Sequence, residues 1–144
     1  MKSQRFGIEI EMTGLTRRSA ALIIAKHFDT GFRHERGVYD TYSVCDQDGR
    51  KWKIVRDASI TPQCGNRFDY DPDYKVEVVS PICHYEDIET IQSIVRELRR
   101  NGHAKVNESC GIHIHVDASK HTARSLRNIA KYYVFKRGSL SLKL

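Results

Sequence analysis

Several familiar chemistries are missing from this sequence. Its four cysteines, Cys45, Cys64, Cys83 and Cys110, form no CxxC pair, which argues against a zinc ribbon and supplies no disulfide framework. The expectation is buried or idle thiols. No apolar run approaches the roughly 18 residues of a membrane span. The opening stretch MKSQRFGIEIEM breaks its apolar residues with Glu9 and Glu11, so it lacks the hydrophobic stretch of a secretory signal. These two absences predict a cytoplasmic protein with no membrane partner. There is no GxxxxGK[ST] and no GxGxxG, so any nucleotide site has to be built on a sheet rather than on a glycine-rich loop.

Acidic residues are absent from 119 to 144, where seven Lys or Arg stand. The whole chain carries a formal charge of +6, so the body is close to neutral and the end is basic. A basic end can bind nucleic acid. Here it has few aromatics to stack on bases (Tyr132, Tyr133 and Phe135), which argues against that partner. At 144 residues the chain suits one domain burying roughly 68–70% of its unfolded surface.

What is present is alternation. In FGIEIEM, Phe6, Ile8, Ile10 and Met12 point one way and Gly7, Glu9 and Glu11 the other, which predicts a first strand. Thr16 is placed to cap a helix running to about His27 or Phe28. A hairpin is predicted from about Val38 to Asp57, turning at CDQDG, and a loop from Ile60 to Tyr74. A strand in KVEVVSPI ends at Pro81, and Ile88, Ile91, Ile94, Val95 and Leu98 mark a helix that stops near Gly102. KVNESCGIHIHVD supplies a last strand, with isoleucines anchoring it, and a third helix spans about Ala123 to Tyr133. The pattern predicts one α+β domain with a mainly antiparallel sheet and helices packed on one face.

Three strands carry ionisable groups on one side: Glu9 and Glu11, Glu77, and His113 with His115. Each face alone is compatible with a solvated side of an amphipathic sheet. Taken together they present carboxylates and imidazoles rather than the usual mixture. Were they to converge, the carboxylates would repel one another unless a cation neutralised them. Carboxylate oxygens with one imidazole favour Mg²⁺ or Mn²⁺ over zinc.

In order, FGIEIEMTG, WKIVRDASI, VEVVSPI and VNESCGIHIHVD resemble the amidoligases, a carboxylate–amine ligase family related to glutamine synthetase and glutamate–cysteine ligase, over about Arg5 to Tyr133. The resemblance implies part of a glutamine-synthetase-like catalytic fold, with a curved sheet, that binds ATP and Mg²⁺ (or Mn²⁺). It also implies amide formation through an acyl phosphate. Carried over by motif, Glu9, Glu11, Glu77 and His113 are expected as metal ligands and His115 as a phosphate contact. Asp57 and Ser59 of the DxS would line the substrate side as catalytic residues.

The implied partners are a small-molecule or peptide carboxylate and an amine. On this view residues 1–133 form a partial catalytic domain followed by a basic tail at 134–144, completed by a second copy or by a C-terminal polypeptide. An inactive or split metal- or nucleotide-binding remnant, and a metal-dependent hydrolase, stay open as alternatives.

Overall fold

The computed structural model describes residues 4–65, 67–119 and 121–135. Eight strands and three helices follow in chain order: β1 (Phe6–Met12), α1 (Arg17–His27), β2 (Phe32–Arg36), β3 (Thr41–Cys45), β4 (Lys51–Val55), β5 (Gln63–Cys64), β6 (Arg67–Phe68), β7 (Val76–Val79), α2 (Ile88–Asn101), β8 (Ile112–Val116) and α3 (Ala123–Phe135). Six strands pair antiparallel throughout in the order β2-β3-β4-β7-β1-β8, and β5 pairs with β6 separately. No described helix is long and apolar enough to cross a membrane. This is the mixed helix and antiparallel-sheet architecture that the alternation predicted.

Strand alternation divides the sheet into two chemically different faces. Val44, Trp52, Ile54, Val76 and Val78 point into a core closed by Ala20, Ala21 and Ile24 of α1 and by Ile91, Ile94 and Leu98 of α2. Trp52, at 2% exposure, is the largest side chain there. Thr16 caps α1 as expected, its hydroxyl accepting from the Ser19 amide. Gly14, with φ +85°, makes the turn ahead of that cap. A Cβ there would sit 2.8 Å from the His103 carbonyl oxygen, so a side chain is excluded by space as well as by backbone angle.

Two predicted elements differ from the observed ones. The last strand begins at Ile112, not near Lys105, because Asn107 bonds its own downstream backbone: its Oδ1 accepts from the amide and hydroxyl of Ser109, and its Nδ2 donates to the Thr61 carbonyl. Nor do its isoleucines anchor it. Ile112, Ile114 and Val116 are 63%, 62% and 53% exposed, because β8 is the sheet's edge strand and no described helix covers it. Helix α3 forms as predicted, but none of its residues 123–131 joins the core, with Leu126 and Ile129 only half-buried. β2 and the short β5–β6 hairpin were not anticipated. FRHER has no apolar alternation, and two-residue strands fall below any periodic signal. The basic tail lies outside the described residues from 136 onward.

Candidate active site

Opposite the core, register brings the chemical residues into rows across the sheet. Lys53 of β4, Val79 of β7, Glu9 of β1 and His113 of β8 are successive partners in one row. Val55, Glu77 and Glu11 form the next. Gly7 pairs with His115 on the other side. Neighbouring strands lie about 4.8 Å apart. Carboxylates on adjacent strands in one row therefore face one another across a gap suited to a cation.

Glu9, Glu77 and His113 each offer a ligand atom within 4.8 Å of the others, and so do Glu11, Asp57 and Glu77. Glu77 belongs to both sets. The structure thus draws together Glu9, Glu11, Glu77, His113 and Asp57, and resolves them as two overlapping triads instead of one. The second triad draws in Asp57, which the sequence motif placed on the substrate side. The four carboxylates of the two triads together, Glu9, Glu11, Asp57 and Glu77, have no Lys or Arg ion pair among the described residues.

Histidines and backbone donors fill in around them. Glu9 lies between the two imidazoles, with Oε2 3.1 Å from His113 Nδ1 and Oε1 3.1 Å from His115 Nε2. Burial acts to raise the Glu9 carboxyl, but the contacts with His115 and His113 outweigh it and leave it below the usual carboxylate value. Glu11 is 5% exposed; the Gly111 amide donates to its Oε2 at 2.6 Å, and His113 Nε2 lies 3.9 Å from its Oε1. Asp57 Oδ1 accepts from both the amide and the hydroxyl of Ser59, at 2.7 Å each. Burial works against ionisation of Asp57 as well, and the two Ser59 bonds, together with the Glu11 contact and the nearby His113, more than offset it. Ser59 therefore orients Asp57.

Glu77 behaves differently. Half-buried, and facing Glu9, Asp57 and Glu11, its carboxyl is pushed up to about 7, by burial first and then by those three negative neighbours. A carboxylate that resists ionisation because others surround it is what a bound divalent cation would relieve. The donor set is four carboxylates and one imidazole, hard oxygen with little nitrogen and no sulfur, and it fits Mg²⁺ or Mn²⁺.

Two cavities flank the cluster. One, of about 400 Å³, runs past Gly7, Glu9, Val79, Pro81, Ile82 and His115. The other, of about 390 Å³, is lined by Tyr39, Val55, Arg56, Asp57, Ala58 and Glu77. Sequence reasoning singled out neither Tyr39 nor Arg56. It also passed over Arg17, which is 2% exposed and donates to Asp40, to Asp73 and to the Pro72 and Lys75 carbonyls, holding the segment that leads into β7. Arg56 falls inside WKIVRDASI, but only its place in the fold gives it a role there, and no quoted motif contains Tyr39 or Arg17.

The family model described as "putative amidoligase enzyme" matches residues 2–143. The chain belongs to the amidoligase family. The match covers nearly the whole sequence, so all four quoted motifs, and every residue of both triads, fall inside it. No curated protein and no solved structure matched this amidoligase chain.

Proposed function

We propose that this amidoligase joins a carboxylate to an amine at the expense of ATP, on the open face of β1, β7 and β8. The observation that carries the reading is Glu77, shared by two triads of hard ligands that lie side by side. Glu9, Glu77 and His113 would hold one divalent cation, and Glu11, Asp57 and Glu77 a second. Bound there, Mg²⁺ or Mn²⁺ supplies charge neutralisation for a transferring phosphoryl group, which is most of what that chemistry asks of a protein. A substrate carboxylate oxygen attacks the γ-phosphorus of ATP, ADP leaves, and an acyl phosphate forms. The amine then attacks the acyl carbon and inorganic phosphate departs.

Each residue has a task on this reading. His115, 3.1 Å from Glu9 beside the 400 Å³ groove, would donate to a phosphate oxygen. Ser59 holds Asp57 in position. Supporting the choice of phosphoryl transfer over covalent acyl-enzyme chemistry, none of the four cysteines is a member of either triad. The helix-backed antiparallel sheet with its site on the bare face is what a portion of a glutamine-synthetase-like fold would present. A cytoplasmic setting suits both ATP and free thiols.

Isothermal titration with Mn²⁺ and a non-hydrolysable ATP analogue tests the assignment. Wild type should bind both, and the double variant Glu9→Ala with Glu11→Ala should bind neither. Equal binding by the two proteins would remove these residues from the site. Two adjacent cations also serve hydrolases. Product formation from an activated ester without ATP would favour that second reading.

A further inference from the structure

The cavity on the Asp57 side brings Arg56, Asp57 and Glu77 together in its wall beside Tyr39. The β2–β3 turn carries positive φ at Arg36 (59°), Gly37 (83°) and Asp40 (43°), a conformation that side chains other than glycine's adopt at a cost. Two cations hold it there. Arg17 grips Asp40, while the Arg56 amide donates to the Tyr39 carbonyl at 3.0 Å and Arg56 Nη2 to the Val38 carbonyl at 2.9 Å. Tyr39, 65% exposed, is thereby fixed at the cavity wall.

Arg56 is then left with capacity to spare. A guanidinium has five N–H donors, and Nε and Nη1 of Arg56 have no hydrogen-bond partner among the described residues. It lines the same cavity as Asp57 and Glu77. With cations on those two carboxylates their charge is taken up, and the remaining fixed charge on the cavity wall is positive. An amine entering from this side would meet repulsion; an anion would meet a free fork of donors.

We propose that this cavity seats the carboxylate substrate and that Arg56 selects substrates carrying a second carboxylate, remote from the reacting one. The inference rests on the ligase reading and adds to it a substrate class, dicarboxylic acids, and a specificity residue. The reacting carboxylate faces the Glu11, Asp57 and Glu77 side of the cluster, the second carboxylate accepts from Arg56, and Tyr39 closes the wall between them.

Glutarate and pentanoate have the same number of carbons and differ by one carboxylate, which makes them suitable probes. On Mn²⁺-loaded wild type, titration calorimetry should find glutarate bound about tenfold or more tighter, the scale of one charge-assisted hydrogen-bonded contact. Arg56→Met should bring the two acids to equal affinity while Mn²⁺ affinity stays the same, and Arg56→Lys should keep part of the preference. Tyr39→Ala, which leaves the guanidinium in place, should weaken both acids alike and preserve their ratio.

A wild-type ratio near one, or a preference that survives Arg56→Met, overturns the inference. If Mn²⁺ and the ATP analogue bind but glutarate is not preferred, the inference alone fails. If wild type takes up neither Mn²⁺ nor the analogue, the ligase reading falls and takes the inference with it.

Discussion

Glu77 is the residue in which local physics and function meet most directly. Its position on β7 is dictated by alternation: Val76 and Val78 are buried in the core, so Glu77 faces the other way. Partial burial and three carboxylate neighbours then lift its carboxyl to about 7 from an ordinary 4.5. A group that holds its proton more tightly when folded than when unfolded stabilises the fold at low pH, and this contribution is lost as the pH rises through the folded value. The metal-free protein should therefore show a urea midpoint that falls between pH 5.5 and pH 8. Glu77→Gln, which cannot ionise, should flatten that fall. A decline of the same size in both proteins would show that Glu77 is not the group responsible. Legibility at this scale was uneven. ExE and HxH stand out in sequence because alternation isolates them on one face, whereas Asp57 joins the second triad through a loop whose path no periodicity describes.

Among the elements, β4 and β8 offer a contrast. Both alternate apolar with polar residues, and in sequence their apolar positions look equivalent. In the fold Ile54 is 0% exposed and Ile114 62% exposed. β4 lies between β3 and β7 under α1, while β8 has β1 on one side only. Ile54→Ala should cost about 2–5 kcal/mol in denaturant unfolding, and Ile114→Ala under about 1 kcal/mol. Comparable losses at the two positions would mean that β8 is covered in solution by something that restores its burial. An amphipathic pattern states that a face is apolar; it does not state whether a neighbour exists to cover it.

For the whole molecule, the central question is how a neutral body tolerates four clustered carboxylates that have imidazole neighbours but no Lys or Arg ion pair among the described residues. Cation binding to the native state answers it thermodynamically. A ligand that binds only the folded form at 100 times its dissociation constant adds about 2.7 kcal/mol of stability. Mn²⁺ should accordingly raise the melting temperature of wild type, and the double variant Glu9→Ala with Glu11→Ala should melt at the same temperature with and without it. A rise of equal size in both would place the cation elsewhere, for instance on the exposed acids of the β5–β6 region such as Asp71 and Asp73.

Sequence alone determined the two-faced character of β1, β4 and β7, the cap of α1 at Thr16, the stop of α2 near Gly102 and the kinship with amidoligases. Each depends on residue order over short distances, where side-chain period and capping chemistry act directly. Only the tertiary structure decided that β7 lies between β4 and β1, so that Glu77 faces Glu11 and belongs to both triads. It alone decided that Asp57 joins the carboxylates, that Arg56 lines a cavity with them, and that the isoleucines of β8 stay at the surface. Strand order and loop path are settled by burying apolar area across the whole chain, and a sum over distant residues leaves no trace in any short stretch of it.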